Sequence, residues 1–325
     1  MIAPRAQALQ DHAMASDFQE ALAAGDLDGL RRAPKADLHN HAILGGDREF
    51  LAARTGRRIE PLRQPLPDMA AMHAWVSEAV GDLFDGRAGR LLGFEAALVQ
   101  ARRDGVTRLE IGEDVWAITL WDGSAESLTA DLKAVHAAVA PEIAWSPELG
   151  LSRHCPVPAL DRWLSPFLEL GVWRALDLSG DEFAQPIEAF QPLFRKAKAA
   201  GLRLKAHVGE WGSAEDVRRA VELLDLDEVQ HGIAAAASPE VMRVLAERCV
   251  RLNICPTSNL MLSRVESLEA HPIRRLYDAG VRVSVNTDDV LVFGAALSDE
   301  FLKLYEAGVF SAAELDALRL DALAD

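Results

Sequence analysis

His39 and His41 stand two residues apart in the segment Lys35-Ala36-Asp37-Leu38-His39-Asn40-His41. On a strand, positions i and i+2 face the same way, so both imidazoles could grip one metal ion. Alone, such a pair says little, because short histidine pairs also arise by chance on surfaces. The second half of the chain supplies the missing parts, each just past an apolar stretch: His207-Val208-Gly209-Glu210, His231-Gly232 and Asn286-Thr287-Asp288-Asp289. Neutral imidazoles with one carboxylate suit zinc, and a catalytic zinc site keeps one position open for water. A set of His39, His41, His207 and Asp288 would leave the ion net positive and able to acidify its water. Glu210, His231 and Asp289 then remain for chemistry.

Glu210 belongs to the loop leaving the strand that ends at His207. A carboxyl group beside a dry ring-binding pocket has a raised pKa and can donate a proton; the alternative is a solvated loop glutamate. His231, just before Gly232, is placed to orient or deprotonate a metal-bound water, or is a hydrogen-bonded core histidine. Asp289 directly follows Asp288, and adjacent carboxylates repel unless a cation neutralises one, which leaves Asp289 for water or substrate. The remaining histidines read differently. His12, His73 and His136 sit in helical patterns as solvated or packed residues, His271 before Pro272 reads as a local cap, and His154 beside Arg153 is a candidate pocket residue. Lys205 shares the inward parity of His207, which raises a carboxylated lysine between two metals, but it sits two residues deeper. Trp116, Trp121 and Trp211 are candidate pocket walls.

Positioning these groups requires a regular scaffold, and the chain alternates short β-type runs with longer helical patterns. Eight strands are expected near Lys35–His41, Val106–Gly112, Ile143–Leu151, Val172–Ser179, Leu202–His207, Glu228–His231, Val250–Cys255 and Val281–Asn286. Ala214–Leu224, Pro239–Arg248 and Pro272–Ala279 have helical spacing. Ser213 and Ser238 suit N-caps, and Gly201 and Gly280 suit helix ends. Eight βα units predict an α/β fold, a single (β/α)8 TIM barrel, with every candidate ligand at the C-terminal end of a strand. An extra N-terminal helical segment is expected within residues 1–33. The long connection 44–105 reads as a helical insertion, a lid or substrate wall inside one domain spanning 1–325.

The 34 Lys and Arg against 50 Asp and Glu give a net charge of −16. That argues against nucleic-acid backbones and anionic membranes as partners and favours a small neutral or cationic substrate. Cys155, Cys249 and Cys255 are odd in number without C-x-x-C spacing, and Cys249 and Cys255 are expected as buried, inert thiols. The first residues lack a signal-peptide apolar core and no apolar run reaches 18 residues, so a cytoplasmic protein is expected. Nothing in the sequence fixes an oligomeric state.

Taken in order, Lys35–His41, Leu176-Asp177-Leu178-Ser179-Gly180-Asp181-Glu182, Lys205–Glu210, Gln230-His231-Gly232, Cys255-Pro256-Thr257-Ser258-Asn259, His271-Pro272-Ile273 and Asn286–Asp289 resemble the adenosine deaminase family over nearly the whole chain. The resemblance implies a (β/α)8 barrel with one zinc per chain and hydrolytic removal of an amino group from a 6-aminopurine. It implies zinc on His39, His41, His207 and Asp288, protonation of a ring nitrogen by Glu210, and water positioned and deprotonated by His231 and Asp289. The backbone of Gly180 and the side chain of Asp289 would hold the purine. The His-x-Glu and Pro-Cys-x-x-Cys motifs of the other zinc deaminases are absent.

Three departures bear on substrate identity. Ala42-Ile43-Leu44-Gly45-Gly46 follows His41 where the family has a shorter His-Leu-x-Gly, Gly112 stands where an arginine is common, and Val290 replaces a proline. Two other readings compete. One is a zinc hydrolase of another C–N, lactone or phosphoester bond, in which Glu210 would have no ring nitrogen to protonate. The other is a non-catalytic purine-binding barrel, which would have no need of an intact constellation.

Overall fold

The computed structural model describes residues 17–324, so His12 and the start of the expected N-terminal segment lie outside the described residues. Eight strands, each hydrogen-bonded in parallel to the next, follow chain order. They are β1 (Lys35–Asp37), β2 (Val106–Asp114), β3 (Ala144–Ser152), β4 (Ala175–Ser179), β5 (Arg203–Val208), β6 (Glu228–His231), β7 (Arg251–Ile254) and β8 (Arg282–Val285). β8 returns to β1 through a parallel bridge between Asn40 and Asp288 and a 2.9 Å bond from Asp288 N to the His39 carbonyl. The architecture is the expected α/β barrel. Residues 17–24 and Leu27–Arg32 are helical ahead of β1.

The two strand faces differ in chemistry. Leu109, Ile111, Leu149, Leu176, Leu204, Val229, Leu252 and Val283 point outward and join the main apolar core with helix residues such as Leu128, Leu164 and Val217. Each fully buried side chain of this size adds roughly 1.5–3 kcal/mol, so the shell between sheet and helices holds the barrel. The inward positions are largely polar, among them Glu110, Glu148, Asp177, Lys205, His207, Glu228 and Asn253.

Local signals act where the spacing placed them. Ser213 and Asp216 form a capping box on the helix Ala214–Leu224, and the Ser238 side chain caps Pro239–Glu247. Gly201 and Gly280 have positive φ just past helix ends.

Two expectations need correction. β1 stops at Asp37 and does not reach His41, because side chains replace the backbone ladder there. Leu38 N donates to Asn286 Oδ1, and Asp37 accepts from Thr287 and Asn40. The two histidines therefore sit on the segment beyond the strand. Cys249 is exposed, at positive φ after a helix, whereas Cys255 is buried as expected. Lys205 lies deeper than the histidines, as its position implied, and its ammonium is ion-paired with Glu110, Glu148 and Glu228.

The connection between β1 and β2 carries helices Arg48–Thr55, Met69–Ala79 and Gly86–Arg103. Leu51, Ile59, Val80, Phe84, Ala96 and Leu291 form a satellite apolar cluster beneath it. None of the residues of Met69–Ala79 is buried. No described helix is long and apolar enough to cross a membrane.

Candidate active site

At the C-terminal ends of the strands the barrel opens into a cavity of about 390 Å³. His41, His207, Glu210, His231, Asp288, Asp289 and Gly180 all line it, and His39 lies directly beneath, buried. Among the described residues, every group of three or more His, Cys, Asp or Glu side chains close enough to share an ion lies here.

Hydrogen-bond partners decide what each imidazole offers. His39 Nδ1 lies 3.2 Å from the Asn253 carbonyl, which can only accept, so the proton sits on Nδ1. His207 Nδ1 lies 3.1 Å from Asp177 Oδ2 without hydrogen-bond alignment, and the negative charge beside it favours a proton on that nitrogen. The two Nε2 atoms then confront each other as bare lone pairs at 3.0 Å. Asp288 Oδ1 stands 3.1 Å from His41 Nε2 and 3.8 Å from His39 Nε2. Lone pairs and a carboxylate converging on one point repel unless a cation lies between them, and the nitrogen and oxygen donors suit a divalent metal. The residues present fit such an ion. Burial alone would raise the Asp288 carboxyl, but the hydrogen bond from His41 and the neighbouring imidazoles hold it well below the usual carboxylate range. Ser258 Oγ donates to its other oxygen at 2.6 Å.

Glu210 lies across the cavity. Its loop is held by Glu182, whose carboxylate accepts from the backbone N–H groups of Gly209, Glu210 and Trp211 at 2.7–2.9 Å. Gly209 is required: its φ is +72°, and a Cβ there would lie 2.2 Å from Val217 Cγ2. Oε1 of Glu210 has no hydrogen-bond partner, and burial, with Asp288 and Glu182 nearby, pushes its carboxyl well above the ordinary value. Asp289 Oδ1 is likewise unpartnered. Burial and the adjacent Asp288 raise the Asp289 carboxyl to about 7. His231 Nε2 faces Glu210 Oε1 at 3.6 Å and Asp288 Oδ2 at 3.8 Å. Both His231 and Asp288 adopt positive φ, at +63° and +60°, a conformation costly for side chains other than glycine and concentrated at functional sites.

Gly180 has φ +94°, and a Cβ on it would sit 3.1 Å from His154 Cδ2, so only glycine leaves its backbone open to the cavity. His154 lies at the rim, 5.8 Å from His73 between ring centroids. His73 is an exposed helical residue as its spacing suggested, and it also lines the cavity. The expected tryptophan walls are elsewhere. Trp121 is buried with its Nε1 on Asp131, Trp116 stacks under Arg90, and Trp211 lies under Arg264. The walls are instead Ile43, Leu44, Met69, Met72, Val76 and Leu262.

Sequence reasoning assigned no role to Glu182, Asp177, Ser258 or Asn259. Each occurs within or beside a quoted motif, but nothing local says which distant loop or imidazole it meets. His271 does accept from Ile273 N as the local cap expected, and its other nitrogen faces Asn259 at 3.3 Å.

Comparison with known proteins bears on the family and the fold. The family model described as adenosine deaminase matches residues 162–324. A protein of Treponema pallidum named "Putative adenosine/adenine deaminase" is 36% identical over 90% of this chain and 98% of its own length. The crystal structure of an adenine deaminase from Arthrobacter aurescens superposes with a TM-score of 0.74 at 25% identity, covering 89% of this chain and 93% of that one. An amidohydrolase from Burkholderia ambifaria, solved with bound zinc, shares the fold with a TM-score of 0.76 at 22% identity, over 93% of this chain and 87% of that one. On fold, similarity and reach along the chain, this protein belongs to the adenosine deaminase family and is an aminohydrolase.

Proposed function

We propose that the protein is a zinc-dependent hydrolytic deaminase of an uncharged 6-aminopurine, either a free base or a nucleoside. The observation that carries this reading is the buried Glu210 carboxyl, whose unpartnered oxygen shares one cavity with the converging imidazoles. A protonated carboxyl so placed can give its proton to a purine ring nitrogen as the water adds. His39, His41, His207 and Asp288 would hold one zinc ion. When bound, the ion supplies the Lewis acidity that makes water a nucleophile near neutral pH.

The chain's own groups would do the rest. Water oxygen adds to the ring carbon bearing the amine while Glu210 gives its proton to the neighbouring ring nitrogen. Asp289 takes the proton that the water loses, with His231 holding the attacking oxygen. As the tetrahedral carbon collapses, Asp289 returns its proton to the amino group, which leaves as ammonia, and the hydroxyl proton passes to Glu210, leaving a 6-oxopurine. The open backbone of Gly180 and the side chain of Asp289 would orient the ring. Each properly placed acid or base typically contributes about 10²–10⁴-fold.

Charge around the cavity supports an uncharged substrate. Arg90 is the only Lys or Arg lining it among the described residues, and its guanidinium is already paired with Glu113 and Asp114. A phosphate would meet carboxylates and no free cation. We place the segment 44–105 as a wall of this cavity within one barrel domain spanning 1–325, since Met69, Met72, His73 and Val76 of its unburied helix face the opening.

The test is ammonia release by zinc-loaded protein from adenine, adenosine, 2′-deoxyadenosine and AMP. Release from a base or nucleoside but not from AMP is expected. No release from any of the four would remove the deaminase reading, and turnover of AMP would remove the charge argument.

A further inference from the structure

We propose that Asn259 and His271 are positioning residues that fix the tautomer of His231, so that its Nε2–H donates to the attacking oxygen. The inference rests on the reading above that His231 faces that oxygen.

One hydrogen bond in this chain of side chains has a direction fixed by its donor. A backbone N–H can only donate, and Ile273 N lies 3.1 Å from His271 Nδ1. That nitrogen is therefore a bare acceptor, and the His271 proton sits on Nε2. His271 Nε2 faces the Asn259 side chain at 3.3 Å, so the atom it meets must be the amide oxygen. The same amide then turns its NH₂ toward His231 Nδ1, 3.2 Å away. An NH₂ group has no lone pair to offer, so His231 Nδ1 must be the acceptor, and the proton of that imidazole is on Nε2.

Each link leaves the next one choice, because all three side chains are buried and no exposed amide can turn over to reverse the order. Asn259 makes no other side-chain hydrogen bond among those found, so its orientation answers to the two histidines alone. The left-handed backbone of His231 indicates that this side chain is held in place at a cost.

The proton on Nε2 points into the gap between Glu210 Oε1 and Asp288 Oδ2. An imidazole in this form cannot take a proton from water through Nε2. It can hold the oxygen in line and stabilise the negative charge that builds on it. Proton acceptance then falls to Asp289 alone, which separates two roles that the motifs leave pooled.

Nitrogen-15 spectroscopy of histidine-labelled, metal-loaded protein reads the tautomer directly. We expect an unprotonated, pyridine-type Nδ1 and a proton-bearing Nε2 on His231. A proton on Nδ1 in the wild-type protein would overturn the inference, whether or not any variant folds. Asn259→Asp is close in shape but can accept from both histidines, and should move the His231 proton to Nδ1. Its kcat should then fall by roughly 10²–10⁴-fold, as when a catalytic imidazole is held in the wrong tautomer, with KM and metal content little changed. A purely structural role would lower the folded fraction without that split or the spectral reversal. Wild-type kcat in Asn259→Asp with the tautomer reversed would also overturn the proposal. Wild-type protein that deaminates no aminopurine yet shows Nε2-protonated His231 would sink the proposed function and leave the relay standing.

Discussion

The mouth of the barrel and the layer beneath it are built from the same residue types and balance their charges in opposite ways. One layer down, Lys205 is ion-paired with Glu110, Glu148 and Glu228, while Arg108 and Arg203 add 2.7 Å contacts to Glu110 and Glu228. Asn253 bridges Glu228 and Gln230 at 2.7 and 2.9 Å, and Ser284 closes on Asn253. Most of that layer's charge is matched from within, although Glu148 Oε2 meets Lys205 only as an ion pair, without a hydrogen bond. At the mouth, two imidazole lone pairs face each other, Asp288 points at the same spot, and oxygens of Glu210 and Asp289 have no partner. Buried charges are normally paired, so carboxyl groups left without a cation in one place and paired with lysine and arginine two residues away mark where a ligand's charge belongs. Lys205 and His207 share one strand and one face, and only their neighbours separate a structural ion cluster from the proposed metal site.

The comparison breaks most sharply at the metal ligands. His207→Ala should release the metal and abolish turnover while the lower layer stays folded. Metal analysis after dialysis checks this, and full occupancy in the variant would remove His207 from the set. The expected loss of affinity exceeds the roughly 10–100-fold typical of losing a partner that only orients a ligand.

Glu210→Gln should come next, with metal retained and kcat lower by about 10²–10⁴-fold. Steady-state ammonia release with metal quantified in the same sample reads both. Near-normal turnover would take the acid role from Glu210.

Lys205→Met tests the other side of the comparison, because it leaves three carboxylates buried without their shared cation. Breaking such a cluster costs about 3–5 kcal/mol, visible in denaturant unfolding of metal-loaded protein. A loss under about 1 kcal/mol would mean that the layer behaves like an exposed ion pair and is not the closed unit described.

Ser258→Ala should have the smallest effect. It removes the 2.6 Å hydrogen bond to Asp288 Oδ2 and should weaken metal binding by roughly 10–100-fold without changing the fold. Competition with a chelator measures it, and unchanged affinity would show that His41 alone orients Asp288.

Much of this was legible before any coordinates. Alternating apolar runs and helical spacing announced eight βα units, and the residues at the strand ends announced where a site would form. His39, His41, His207, Asp288, Glu210, His231 and Asp289 do converge. The end of β1 was misread because an extended segment with suitable parity looks the same whether its N–H groups meet a neighbouring strand or the side chain of Asn286. Cys249 was misread because an apolar neighbourhood in sequence does not keep a helix-end residue inside.

The sequence by itself determined residue types, order and strand parity, because strand alternation and barrel closure leave few places for a side chain next to a strand end. Only the tertiary structure decided which proton sits where and which groups are left open. Glu182 pins the Glu210 loop from 28 positions away, and the Ile273 amide reaches His231 through His271 and Asn259. Such pairings depend on closing the barrel to within a hydrogen-bond length, a precision that periodicity along a chain does not carry.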